Sequence, residues 1–163
     1  MGDDAHGILA LALLAQDGVD LSYIVKTKRN TGCAVVMVDE VGCNLIGVAS
    51  GANQDIQSDQ VADELIAQAG VVVLQQEIPI EQNLRLAQRA KHLNTPVLFN
   101  LAPATHVPNA LLSHVDWLVV NEVEATFLAS SRSEEHTSEL QSLVNLVCRL
   151  LPDTQTPPPP PPT

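Results

Sequence analysis

Glu77, Asn100, Asn121 and Glu124 are the residues of this 163-residue chain whose types and spacing could do chemistry. Each stands just beyond a short apolar run. Val71-Val72-Val73-Leu74 leads into Gln75-Gln76-Glu77, Pro96-Val97-Leu98-Phe99 into Asn100, and Trp117-Leu118-Val119-Val120 into Asn121-Glu122-Val123-Glu124. A carboxylate accepts short, charge-assisted hydrogen bonds, and an amide side chain offers both donors and an acceptor. Gathered together, such groups suit a polar small molecule.

The elements that would gather them are legible as an alternation. Helix-length amphipathic segments separate the apolar runs, the pattern of an α/β domain with a parallel sheet. In such sheets ligands bind beyond the carboxyl ends of the strands, so the four residues are expected to line one crevice. In chain order, Asp3 or Asp4 caps a helix through Ile8–Ala15 that Gly18 closes, and Tyr23–Lys26 reads as a strand. Gly32–Asp39 and Asn44–Ala49 read as a hairpin about Val41, with Cys33 opposite Ala49; its partly alternating pattern places it outside the main sheet. Ser58 caps one helix over Asp59–Ala69, with Val61, Leu65, Ile66 and Ala69 on a single face. Strand 71–75, helix 80–93 (burying Ile80, Leu84, Leu86, Ala87 and Ala90), strand 96–100, a short helix near Asn109–Ser113, strand 117–120 and a helix from Glu122 complete the rhythm.

Composition narrows the function classes. Hydrophobic residues make up 45% of the chain, but the aromatics are only Tyr23, Phe99, Trp117 and Phe127, so the core is aliphatic, as buried parallel strands under Ala/Leu helices require. The net charge of −11 and the lack of a basic cluster beyond Lys26-Thr27-Lys28-Arg29 argue against a nucleic-acid groove. Cys33, Cys43 and Cys148 have no C-x-x-C spacing, and a reduced, cytoplasmic setting accounts for them most simply. The apolar stretch Ile8–Leu14 is too short to span a bilayer, the acids at Asp3 and Asp4 are unlike a signal peptide, and His6 stands where a myristoylation motif needs Ser or Thr. No membrane association is expected. The histidines His6, His92, His106 and His114 show no ligand spacing and read as solvated or packed.

From Arg132 the rhythm breaks. Arg132-Ser133-Glu134-Glu135-His136-Thr137-Ser138-Glu139-Leu140-Gln141-Ser142 matches, codon by codon, a widely used sequencing-library adapter read in frame. Residues 132–163, ending in the run Pro157–Pro162, are therefore expected to be a non-native tail behind a domain over residues 1–131. Leu140, Val144, Val147 and Leu151 nonetheless keep helical spacing.

Over residues 2–130 the chain resembles the ribokinase-like family of sugar and nucleoside kinases. Its motifs occur in the family's order: Gly2-Asp3-Asp4…Gly7, Gly18-Val19-Asp20, Thr31-Gly32-Cys33-Ala34, Val38-Asp39-Glu40, Asn44-Leu45-Ile46-Gly47-Val48, Gly51-Ala52-Asn53, Gln76-Glu77-Ile78-Pro79, Asn100-Leu101-Ala102-Pro103-Ala104 and Asn121-Glu122-Val123-Glu124. Gly-Ala-Asn and Asn-x-Ala-Pro-Ala point to the ribose-phosphorylating members ahead of fructokinase or adenosine-kinase relatives. The resemblance implies a partial αβα sandwich with a small β-hairpin lid at about 32–50, and a homodimer formed through that lid. It implies transfer of the γ-phosphoryl group of ATP to the 5-hydroxyl of D-ribose, with Mg²⁺ and a monovalent cation (K⁺).

Residue by residue, Glu77 matches the carboxylate that binds sugar hydroxyls, Asn121 the position beside the ATP phosphates, and Glu124 the carboxylate that holds Mg²⁺ through water. One Glu suffices physically, because Mg²⁺ keeps several waters and takes phosphate oxygens. The bland readings stand beside these. Read without the resemblance, Glu77 is only a loop acid before Pro79, and Asn121 with Glu124 form a capping box at a helix start, a role compatible with metal and phosphate binding. Asn100 shapes a turn or contacts nucleotide; Asn53 reads as a turn residue, and Thr31-Gly32 as the entry to the lid. Cys43, Leu101 and Val123 depart from a usual acid, proline and threonine.

The family's Gly-Gly sugar loop does not precede Gly2, and neither its Gly-Ala-Gly-Asp anion hole nor its Asp base occurs in 131–163. No catalytic residue is therefore assigned. The expectation is an internal piece of a sugar kinase, inactive as it stands, because loss of the base alone costs roughly 10²–10⁴ in rate. A degenerate kinase acting as a pairing module through its hairpin stays open beside it.

Overall fold

The computed structural model describes residues 1–132 and 145–148. Helix α1 (Ala5–Gln16) begins at Asp4, whose side chain accepts from the Gly7 amide, and ends at Asp17 before Gly18. Among its residues only Gly7 is buried, so Ile8, Leu9 and Leu13 face solvent. Strands β1 (Cys33–Val38) and β2 (Asn44–Ala49) form a separate antiparallel hairpin, with Cys33 opposite Ala49 as the turn about Val41 predicts.

The main sheet is parallel in the order β3 (Val72–Gln75), β4 (Val97–Asn100), β5 (Trp117–Val120), β6 (Asn145–Cys148). Chain order equals sheet order, so the right-handed crossovers through α3 (Ile80–His92), α4 (Asn109–Leu112) and α5 (Glu122–Arg132) all cover one face. Leu74, Val97, Phe99, Leu118 and Val120 point into that face and pack with Leu86, Ala87, Ala90, Leu111, Leu112 and Val115. This aliphatic layer, with Phe99 its one buried ring, is the core that the composition requires. On the opposite face Val73 is 64% exposed.

Three local expectations are corrected. Tyr23–Lys26 is not a strand: the one isolated parallel bridge here joins Gly2 to Thr27 just beyond the segment, which lacks a neighbouring strand among the described residues. The single helix expected over Asp59–Ala69 is split into a 3₁₀ turn (Ser58–Gln60) and a short α2 (Asp63–Gln68). The cause is Arg89 on α3. Its guanidinium donates to the Ser58 and Val61 carbonyls, each at 2.5 Å, and so anchors the junction between the two pieces, while the Ser58 carbonyl also accepts from the Val61 amide at 3.3 Å and closes the 3₁₀ turn. Finally, the helical spacing around Val147 does not give a helix at 145–148; those residues pair with β5, whose open edge is a template for strand addition. The rest of the suspected tail, 133–144 and 149–163, lies outside the described residues.

Candidate functional site at the carboxyl edge of the parallel strands

The tip of β3 is built by amide side chains. Asn83, fully buried on α3, donates its Nδ2 to the Gln75 carbonyl at 2.8 Å and so holds the end of the strand against the helix. The Gln76 amide donates to the Ala102 carbonyl at 3.2 Å, and its side chain reaches Thr105 Oγ1 and the His106 carbonyl beyond β4. The two turns are thereby tied to each other. Glu77 follows, its amide donating to Gln75 Oε1, and Pro79 stops the turn by capping α3. The Glu77 side chain is exposed at this tip, and its carboxylate accepts no hydrogen bond from the described residues.

The tip of β5 is built differently. Asn121 Oδ1 accepts from the Glu124 amide at 2.8 Å, while the Glu124 carboxylate accepts from the Asn121 amide at 2.8 Å and from Asn121 Nδ2 at 3.1 Å. This is the reciprocal capping box that Asn-x-x-Glu spells out. Glu124 is only 8% exposed, whereas Asn121 stands in solvent. Each Glu124 oxygen takes one hydrogen bond and keeps a second lone pair, so the carboxylate can still accept from water around a divalent cation. Among the described residues no three His, Cys, Asp or Glu side chains form a metal cluster. A cation here would rest on one carboxylate, water and ligand oxygens, a set that fits Mg²⁺ and not a closed protein cage.

Register brings these tips to one edge. Gln75, Asn100 and Val119 lie in a row across β3, β4 and β5. Glu77 and Asn121 each sit two residues beyond that row, at the same strand termini. Adjacent strands run about 4.8 Å apart, so the two tips are roughly 10 Å from one another, with Asn100 between them. Asn100 is half-buried, and the Leu101 amide beyond it is fixed to the Val119 carbonyl at 3.0 Å. Asn53 does not join this edge. It lines a cavity of about 450 Å³ beside Thr31 and Gly32 with Tyr23, Val25, Ile56, Val61 and Leu86. That cavity carries no acidic or basic side chain, so the strand edge is the better site for a polar ligand.

Residues 1–148 match the pattern of the pfkB family carbohydrate kinases. The chain belongs to that family. Among individual proteins, it is 36% identical over 141 residues to the ribokinase of Arabidopsis thaliana, across 82% of this chain and 37% of that protein. It is 40% identical over 114 residues to the ribokinase of Staphylococcus aureus strain COL, across 68% and 38% respectively. The solved structure of the Arabidopsis ribokinase complexed with ribose and ATP superposes with a TM-score of 0.71 over 80% of this chain and 44% of that one. A ribokinase from Thermotoga maritima gives 0.73 at 27% identity, over 85% of this chain and 45% of that one. The fold is thus the ribokinase-like α/β fold, and the chain spans less than half the length of these relatives.

For a pfkB family chain, the motif residues mark the strand tips but not what holds them. Gln76 stands in a motif, but nothing sets Asn83 or Thr105 apart, because a polar residue on an amphipathic helix or in a turn reads as solvent-facing. The only sequence signal was the density of amides around Gln75–Glu77.

Proposed function

We propose that this chain is part of an ATP-dependent sugar kinase that phosphorylates D-ribose to ribose 5-phosphate in the cytoplasm. The observation that carries the reading is the common edge: Glu77 and the Asn121–Glu124 pair stand at the carboxyl ends of β3 and β5 in one parallel sheet. Glu77, exposed and charged, accepts hydrogen bonds from sugar hydroxyls; charge-assisted bonds of this kind are roughly twice as strong as neutral ones. Asn121 sits beside the nucleotide phosphates. Glu124, already fixed by its cap, orients water around Mg²⁺ without having to be ordered on binding. The bound Mg²⁺ would neutralise charge on the phosphates, and a monovalent cation such as K⁺ would promote the reaction. No described residue is assigned as the base, so turnover belongs to the uninterrupted gene product and not to the 163-residue chain.

The test is ADP formation by that uninterrupted product with ribose, fructose or adenosine as acceptor. Ribose-dependent ADP release exceeding that with the other two supports the reading; release only with adenosine or fructose would move it within the family. The alternative module role has one observation in its favour. Seven apolar residues of the hairpin, including Val35, Met37, Leu45 and Val48, are 51–66% exposed, as a pairing surface would be. We take this to be compatible with a kinase that forms a homodimer through its lid, and ultracentrifugation of the uninterrupted product checks it.

A further inference from the structure

Every strand residue of the β1–β2 hairpin is exposed among the described residues, so its feet are where it is fixed. Those feet are built around Asp4. Its Oδ2 accepts from the Thr31 amide at 2.6 Å, and its Oδ1 accepts from Thr31 Oγ1 and from the Gly7 amide, each at 2.8 Å. Thr31 Oγ1 in turn accepts from the Gly2 amide at 3.2 Å. One carboxylate thus joins the start of α1 to the residue two before β1.

The two feet are also locked to each other. The Ala52 amide donates to the Asn30 carbonyl at 2.8 Å. Gly51 adopts a φ of +52°, and a Cβ there would collide with that same carbonyl. A Cβ on Gly32 would lie 2.6 Å from the Ser50 carbonyl. The chain therefore enters and leaves the hairpin as one tight crossing that side chains cannot enter. A paired crossing of this kind moves as a unit, so its inclination is set by whatever ties it to the body. The ion pair Arg29–Asp55 lies between the feet themselves, at 2.8 Å, and does not reach α1.

We infer that the Asp4 carboxylate is the clasp that sets the inclination of the hairpin, making Asp4 and Thr31 positioning residues for whatever the hairpin covers. Helix capping alone needs only the bond to Gly7; both bonds to Thr31 are surplus to it. The two roles are separable. A serine at position 4 can still cap α1 but lacks the second oxygen that takes the Thr31 amide. Valine at position 31 keeps the shape of threonine while losing its hydroxyl.

The experiment is a pulsed electron–electron distance measurement on the uninterrupted product. Nitroxides sit on Cys43 at the hairpin tip and on an introduced cysteine at exposed Gln88 of α3, with Cys33 and every other native cysteine replaced by serine. The parent is expected to give a narrow distribution. Asp4→Ser is expected to broaden it, roughly doubling its width, and Thr31→Val, which keeps the amide bond to Oδ2, to broaden it less, while Thr31→Ser leaves it unchanged. Circular dichroism shows whether α1 persists; if Asp4→Ser fails to fold, Asp4→Asn, which caps α1 but turns a donor toward the Thr31 amide, decides in its place. Parental widths in a folded Asp4→Ser or Asp4→Asn variant would overturn the clasp. The readout needs neither sugar nor nucleotide, so it stands or falls separately from the kinase reading.

Discussion

Glu124 has two duties, and single substitutions separate them. Gln retains the capping geometry, because its carbonyl oxygen still accepts from the Asn121 amide, but it loses the charge. Glu124→Gln is therefore expected to melt within about 0.5 kcal/mol of the parent. Glu124→Ala, which leaves the Asn121 amide without its partner, is expected to lose about 1 kcal/mol in urea denaturation. Equal losses in both would mean that the charge itself, and not the cap, stabilises α5. Asp4 makes a pH prediction. Hydrogen bonds from the Gly7 amide, then from the Thr31 amide and hydroxyl, lower its pKa from 3.8 to about 2. A carboxyl depressed on folding stabilises the fold in full above 3.8 and loses that contribution as the pH falls through about 2. The stability gap between the parent and Asp4→Asn should close over that window in urea melts, and a gap constant down to the lowest pH would contradict it. At this scale the Asn121–Glu124 box was legible, because its spacing is the mechanism. Asn83 was not, since nothing local says that an amide on α3 will be drawn under β3 by a strand carbonyl.

Among the elements, the strands and crossover helices were legible because each is a run of uniform periodicity bounded by Pro, Gly or Asn. The failures came where a distant group decides. Tyr23–Lys26 has strand composition but no partner strand among the described residues, and a strand is defined by pairing. Residues 58–69 have helical periodicity, yet Arg89 takes two of their carbonyls and also bonds Asp63 through Nε at 2.8 Å and Nη2 at 2.6 Å. Removing that side chain strips charge-assisted bonds from a half-buried junction. Arg89→Ala is expected to destabilise by roughly 2 kcal/mol and to speed amide exchange across 58–68 ahead of the rest of the chain. Uniform exchange in that variant would show that the junction does not depend on Arg89.

For the whole molecule, the described helices pack their core on one face of the sheet. Val73 on the other face and Ile8, Leu9 and Leu13 on α1 stand in water, and β3 has one strand neighbour among the described residues. Relatives of which this chain covers only 37% and 38% have further chain available to cover such surfaces. The isolated 163-residue chain is expected to be poorly soluble and to melt over a broad range, and a sharp cooperative transition of a purified monomer would contradict this. The order of the elements from β3 to α5 was readable. What covers the open face was not, because packing between layers is not written in the pattern of either layer alone.

The central claim is that Glu77 and Glu124 serve one ligand site from one strand edge. Steady-state kinetics of the Glu77→Gln variant of the uninterrupted product test it most directly. The account predicts that KM for ribose rises roughly 10- to 100-fold through loss of a charge-assisted bond, while the Mg²⁺ dependence stays parental. A parental KM for ribose would contradict it.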